Sequence, residues 1–243
     1  MRRCMKIEIV AAALAALCVH AVAASAATVS GTVIYDGKPP TLKPLAMDAD
    51  PVCAGKHQAP VPNEMLVLGG AGNGIGNILV RVVKGLPEGK TYPPPKDPVV
   101  MDQNGCMYQP HVFVVQAGQP LKVLNSDGIL HNVHALPKVN PQFNMAMPPT
   151  RKEAEHVFEK TEEPVQIKCD VHPWMTAYTM VVDNPFYVVS GADGKFTLKD
   201  LPAGTYEIEA WHEKLGKQTG SVTVAEGDAK TVDFKFSPPG GAK

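Results

Sequence analysis

The chain is poor in the residues that mark several common functions. Charged residues make up only 19% of its 243 positions and aromatic residues 6%. Lys and Arg total 23 against 24 acids, so it lacks the basic excess of a non-specific nucleic-acid binder and the acidic, core-poor composition of a disordered solvating chain. No nucleic-acid partner is expected, and any partner must be met at a local site. Beyond residue 27 no long amphipathic helical pattern appears, and the apolar run Ile9 to Ala24 falls short of the ~20 residues a membrane span needs. What is plentiful is turn chemistry: 21 Gly and 23 Pro punctuate short runs rich in Val, Ile, Thr and Tyr, the text of an all-β protein of one large or two ordinary domains.

The first residues read as an export signal. Arg2, Arg3 and Lys6 precede the apolar run, and Ala24-Ser25-Ala26 fits the small-residue cleavage pattern. The competing reading, an uncleaved anchor, has Glu8 and His20 against it, and Leu17 before Cys18 disfavours a lipid anchor. Cleavage after residue 26 leaves 20 basic residues against 23 acids, about −3, and no membrane span. A periplasmic or secreted location follows as an expectation. Three of the five cysteines remain, Cys53, Cys106 and Cys169, so in an oxidising compartment two can pair and one needs another explanation.

Strands are expected over Thr28–Tyr35, ending at the hairpin signal Asp36-Gly37, over 78–83, 111–115, 121–124, 132–136, 156–158, 165–169 and 178–182, then over 186–190, 196–199, 206–210, 221–224 and 231–236. The stretch Gly69 to Gly76 matches a dinucleotide fingerprint in form, yet a β-branched run follows where that motif requires a helix. Tyr92-Pro93-Pro94-Pro95 is a stiff connector and marks a boundary.

Chemistry concentrates in Cys169-Asp170-Val171-His172-Pro173-Trp174-Met175. A thiolate, an imidazole and a thioether within one turn can be aimed at one point, and Leu130-His131-Asn132-Val133-His134 supplies a further imidazole. Two His, one Cys and a weak axial Met form the ligand set of a mononuclear blue-copper centre. A zinc site completed by His131, His134 or His111 is the metal alternative, and His134 competes with His131 as the upstream ligand. Met180 reads as core, and Met101, Met107, Met145 and Met147 with Phe143 read as core or loop rather than a second Cu(I) contact. His57, His111, His156 and His212 have no spacing partner and read as structural.

These stretches resemble the cupredoxins, the amicyanin group most of all: His131-Asn132-Val133-His134 is similar to that group's H-N-V-H, and Cys169 to Met175 to its C-x-x-H-P-F-M, with Trp174 in place of Phe. The resemblance covers residues 97–183 and implies a Greek-key β-sandwich holding one Cu(I)/Cu(II) ion. It implies His131, Cys169, His172 and Met175 as ligands and a backbone N–H of Asn132 on the thiolate. It also implies an exposed edge of His172, beside Pro173 and Trp174, where redox partner proteins dock transiently. With Cys169 at the metal, Cys53–Cys106 is the preferred disulfide, because it uses both other thiols; a Cys169 disulfide would abolish the copper reading.

Residues 193–206, Asp193-Gly194-Lys195-Phe196-Thr197-Leu198 and Pro202-Ala203-Gly204-Thr205-Tyr206, resemble the D-G-x-F-x-L…P-x-G-x-Y signature of carboxypeptidase regulatory-like domains, small transthyretin-like β-sandwiches. Ser30 to Val33 and Asn77 to Val83 resemble opening strands of the same unit. The expected order is a leader over 1–26, opening strands over 28–95, the cupredoxin over 97–183 inserted between the halves, the remainder over 184–236, and a disordered tail over 237–243. A contiguous order is the alternative, and Trp211-His212-Glu213 is expected to face the neighbouring domain. The expected function is one-electron transport without enzymatic activity. A multicopper oxidase needs several H-x-H pairs, a binuclear copper centre needs two cysteines in the loop, and a Cys/His hydrolase lacks an orienting acid. Copper handling and a metal-independent adhesion or carbohydrate-binding module are the alternatives.

Overall fold

A computed structural model describes residues 26–70 and 72–238. The leader expected over 1–26 lies, except for Ala26, outside the described residues, as does the expected tail from residue 239 onward. The described chain is all-β apart from one short helix, Pro51–Gly55. Two double-sheet units are stacked against each other.

The terminal unit gathers strands from both ends of the chain. Ala27–Tyr35 pairs antiparallel with Lys195–Leu201 and parallel with Ala229–Thr231 and Phe234–Phe236. Its second sheet runs Tyr187–Val189, Leu79–Lys84, Gly204–His212, Gly216–Val224. Alternation places Val29, Val33, Phe196, Leu198, Tyr206 and Ile208 in the core between the sheets. The hairpin expected at Asp36-Gly37 does not form: the chain after Gly37 leaves as an irregular segment, and the strand pairs instead at Ile34 with Gly74, 40 residues on, and with strands 160 or more residues away. The glycine run has a packing role. A Cβ on Gly74 would sit 2.0 Å from the Asp193 carbonyl oxygen and one on Gly69 2.4 Å from that of Ala192, so both glycines let the run lie directly on the turn at residues 191–194.

The central unit has one sheet in the order Phe143–Met147, His131–Leu136, Glu162–Lys168, Thr176–Val182, Val112–Gln116, and a second in the order Glu153–Val157, Pro120–Asn125, Val99–Gln103, Tyr108–Gln109. Two parallel pairings, Thr176–Val182 with Val112–Gln116 and Val99–Gln103 with Pro120–Asn125, mark the crossovers between non-sequential strands. Met101, Leu121, Val123, Val133, Phe158 and Ile167 fill its core.

Val112–Gln116 is buried on both faces, which is why its sequence does not alternate. Phe113 and Val115 face the central core, while Val112 and Val114 meet Met180, Val182, Leu79 and Trp211 in a separate cluster between the units. At roughly 1.5–3 kcal/mol per fully buried large apolar side chain, this seam holds the units together. Arg81 extends it, reaching Glu209 on its own sheet and Glu163 of the central unit, each at 2.8 Å. Trp211 and Glu213 face the central unit as the sequence suggests.

One segment departs from the expected boundaries. Leu45, Met47, Cys53 and Val61 pack on the central core, not on the terminal one, and the Cys53–Cys106 disulfide anchors them there. Asp50 caps the short helix by accepting the Val52 and Cys53 N–H groups, with Pro51 in its first turn. Residues 45–61 therefore form a strap across the end of the central unit where the Cys169 loop lies.

Candidate metal centre

His131 opens the strand His131–Leu136, Cys169 follows the neighbouring strand Glu162–Lys168, and Met175 precedes Thr176–Val182. Three adjacent strand ends thus point one way. The loop between the last two is pinned at its base by Cys169 N–H to the Met175 carbonyl at 3.2 Å and Met175 N–H to the His172 carbonyl at 2.9 Å. Asp170 holds its outer side, accepting from His134 Nδ1 at 2.9 Å and from the Asn144 and Asn132 side-chain amides at 2.8 and 3.1 Å.

Inside the loop His131, Cys169 and His172 present one ligand atom each, all within 4.8 Å of one another and all buried. His131 Nδ1 is 2.9 Å from His172 Nδ1, and His172 Nδ1 is 3.8 Å from the Cys169 sulfur. Burial pushes the Cys169 thiol pKa up, but the hydrogen bond with His131 and the backbone N–H groups of Asn132, His172 and Val171 pull it down further, to about 6. Asn132 also sets its side-chain oxygen 3.2 Å from the sulfur, where that oxygen accepts the Asp170 N–H at 2.7 Å. The buried Tyr108 hydroxyl donates to the Asn132 carbonyl.

Each imidazole is held from behind by a carboxylate. His131 Nε2 is 2.9 Å from Asp127 Oδ2, and His172 Nε2 is 3.1 Å from Asp50 Oδ2. The Asp127 side chain is fully buried, which opposes its charge, yet His131, the Cys106 N–H and Lys56 keep its pKa down at about 2. An ionised carboxylate only accepts, so each outer nitrogen carries a proton and each Nδ1 is the ring atom left to face the centre. Two inward-facing imidazole nitrogens and a thiolate-prone sulfur, buried together, are a donor set that calls for a cation. They fit a soft or borderline metal ion bound by N, N and S.

The structure brings together His131, Cys169 and His172 and leaves out both histidines offered as alternatives: His134 lies on Asp170 and His111 on Glu213 at 2.6 Å. Met175 is fully buried in the same core cluster as Cys169. Met147 is core, and Met145 and Met107 pack against it. One expectation is corrected. His172 has no exposed edge; it is 2% exposed, because Asp50 and the strap cover its outer nitrogen. Trp174 is half-buried, its ring 5.1 Å from that of His172 and its Nε1–H donating to the Cys106 carbonyl at 3.1 Å, while Pro173 remains exposed. On the Trp174–Met175 side a cavity of about 270 Å³ reaches the loop. Sequence reasoning missed Asp50 and Asp127. Asp50-Pro51 carried a helix-cap signal, whereas Asp127 was legible only as part of a turn.

Residues 177–237 match the carboxypeptidase regulatory-like domain family. That match spans a quarter of the chain, in the terminal unit and the central-unit strand Thr176–Val182 before it. Among solved structures, a Cu(I) form of an amicyanin variant is similar at 20% identity over 35% of this chain and 81% of its own, with a TM-score of 0.31. A purple cupredoxin from Nitrosopumilus maritimus is similar at 22% identity over 35% of this chain and 99% of its own, TM-score 0.29. A copper-containing nitrite reductase from Thermus scotoductus is similar at 18% identity over 42% of this chain and 26% of its own, TM-score 0.33. No curated protein matches the sequence. Among the described residues no helix is long and apolar enough to cross a membrane.

Proposed function

We propose that the chain is an exported, non-enzymatic copper protein that holds one ion at His131, Cys169, His172 and Met175 and carries single electrons between protein partners in the periplasm or outside the cell. The observation that carries this reading is the convergence of two imidazole nitrogens and one low-pKa thiol in a buried loop held by three strand ends. A copper ion bound there supplies reversible one-electron chemistry. The protein's part is to keep the donors in place in both oxidation states. The strands, the loop-base hydrogen bonds and Asp170 do this, so little has to move when an electron arrives or leaves.

Partners are proposed to dock transiently at the exposed rim of the loop, Val171 and Pro173, with the exposed Val52 of the strap as a further apolar contact. Val52 and Val171 are among the few large apolar side chains left exposed. Cys169→Ser tests the metal reading: it is expected to abolish the visible thiolate-to-copper absorption while leaving the far-ultraviolet β signature unchanged. An unchanged visible spectrum contradicts the reading.

One observation favours a second reading, copper storage or delivery. The strap closes the His172 edge, which lengthens the path for an electron, and a cavity reaches the loop at Pro173, Trp174 and Met175. Fast electron self-exchange with slow loss of copper to a chelator supports the carrier. Slow exchange with ready loss supports handling.

A further inference from the structure

The strap does more than cover the centre. Asp50 and Asp127 come from segments 77 residues apart in sequence, yet they stand at corresponding places behind the two histidines, and both are fixed by the same disulfide. Asp50 Oδ1 accepts the Val52 and Cys53 N–H groups at 2.8 and 3.2 Å and turns Oδ2 to His172. Asp127 accepts the Gly105 and Cys106 N–H groups, each at 2.8 Å, and turns Oδ2 to His131. Cys53 lies with Asp50 and His172, and Cys106 with Asp127 and His131, in two groups whose ligand atoms are within 4.8 Å of one another. The Cys53–Cys106 bond joins these two groups.

We infer that Asp50 and Asp127 form a carboxylate clamp on the outer nitrogens of both ligand histidines, and that the clamp biases the centre toward the oxidised metal ion, with the disulfide holding its two jaws at a fixed separation. The inference rests on the metal reading above. A carboxylate accepting the Nε2–H of an imidazole fixes the tautomer and makes the opposite nitrogen a stronger donor. A stronger donor stabilises the more highly charged ion more than the less charged one. Lys56 acts against this: its Nζ is 3.1 Å from Asp127 Oδ1, and its charge partly offsets the jaw behind His131. These are positioning residues, since neither carboxylate is placed among the metal's own ligands.

A purely structural role predicts something different. Asn replaces Asp as a helix cap at little cost, so Asp50→Asn keeps the oxygen that accepts both backbone N–H groups and removes only the charge behind His172, whereas Asp127→Asn keeps one acceptor oxygen for the Gly105 and Cys106 N–H groups as well as removing the charge behind His131. The test is a redox titration of the copper-loaded full chain followed by its visible band, for the parent, Asp50→Asn, Asp127→Asn and Lys56→Met, with nitrogen-15 spectra of the metal-free proteins alongside. Each Asn variant is expected to bind Cu(II) about 10–100-fold more weakly and Cu(I) with a smaller change. The potential then rises by about 59 mV for each tenfold change in the affinity ratio. Lys56→Met is expected to lower it, an opposite sign that loosened packing does not produce. In the metal-free parent both Nε2 atoms should carry a proton, whichever Nδ1 holds the proton shared between the rings, and each Asn variant should lose the Nε2 proton at its own histidine. Unmoved potentials in both Asn variants, or a raised potential in Lys56→Met, overturn the clamp. A parent that takes up copper without an intense band refutes the metal reading instead, and the nitrogen-15 tautomers still decide the clamp.

Discussion

The Nδ1 atoms of His131 and His172 face each other at 2.9 Å with their outer nitrogens occupied by Asp127 and Asp50. Two unprotonated nitrogens at that distance repel, so without a metal ion a proton belongs between them. Metal binding must displace it. Calorimetric titration with Cu(II) in buffers of different ionisation enthalpy is therefore expected to show proton release on loading, greater at pH 5 than at pH 7.5 because the Cys169 thiol, with a pKa of about 6, is then protonated as well. Loading with no proton release at either pH contradicts this arrangement.

The seam between the units has its own test. Trp211 packs with Leu79, Met180 and Val182, and its ring lies 5.7 Å from that of Tyr178. Trp211→Ala is expected to cost about 3–5 kcal/mol and to split thermal unfolding into two calorimetric transitions, one per unit. A single transition at an unchanged temperature shows that the units are not coupled through this residue.

A histidine switches the same seam with pH. Burial disfavours the charged form of His111, but the Glu213 hydrogen bond at 2.6 Å and the charges of Glu213 and Glu64 outweigh it and raise the pKa above 6.5. His212 nearby is pushed down to about 4 by burial and stays neutral in this range. A raised folded-state pKa stabilises fully below the unfolded value of about 6.5, and that stability disappears as pH rises through the folded value. The stability difference between the parent and His111→Gln is thus expected to be largest near pH ~6, about 1.5–3 kcal/mol for a charged hydrogen bond, and to shrink toward pH ~9. Chemical denaturation across that range checks it; a difference that grows with pH contradicts the assignment.

The sequence made the β architecture legible wherever one sheet face is buried: Lys195–Leu201 and Gly204–His212 alternate, and the expected strands fall on them. Val99–Gln103 and Phe143–Met147 were not among the expected strands, since the methionines of both read as core or loop and Phe143–Met147 lacks the β-branched residues that marked the others. The His131, Cys169 and His172 cluster was visible because short spacing within one loop fixes what can converge. The strap was legible only through the expected Cys53–Cys106 bond; the contact between Asp50 and His172 spans 122 residues and leaves no local pattern. For the same reason the burial of His172 could not be read from its loop, and the carboxylates behind both rings emerged only with the fold.

The most direct test of the account is the visible absorption spectrum and metal content of residues 27–243 loaded with Cu(II) in air. An intense band near ~600 nm at one copper per chain, lost in Cys169→Ser and His131→Ala, is the predicted result. A colourless protein that takes up zinc in preference to copper, or one in which Cys169 is disulfide-bonded, contradicts it.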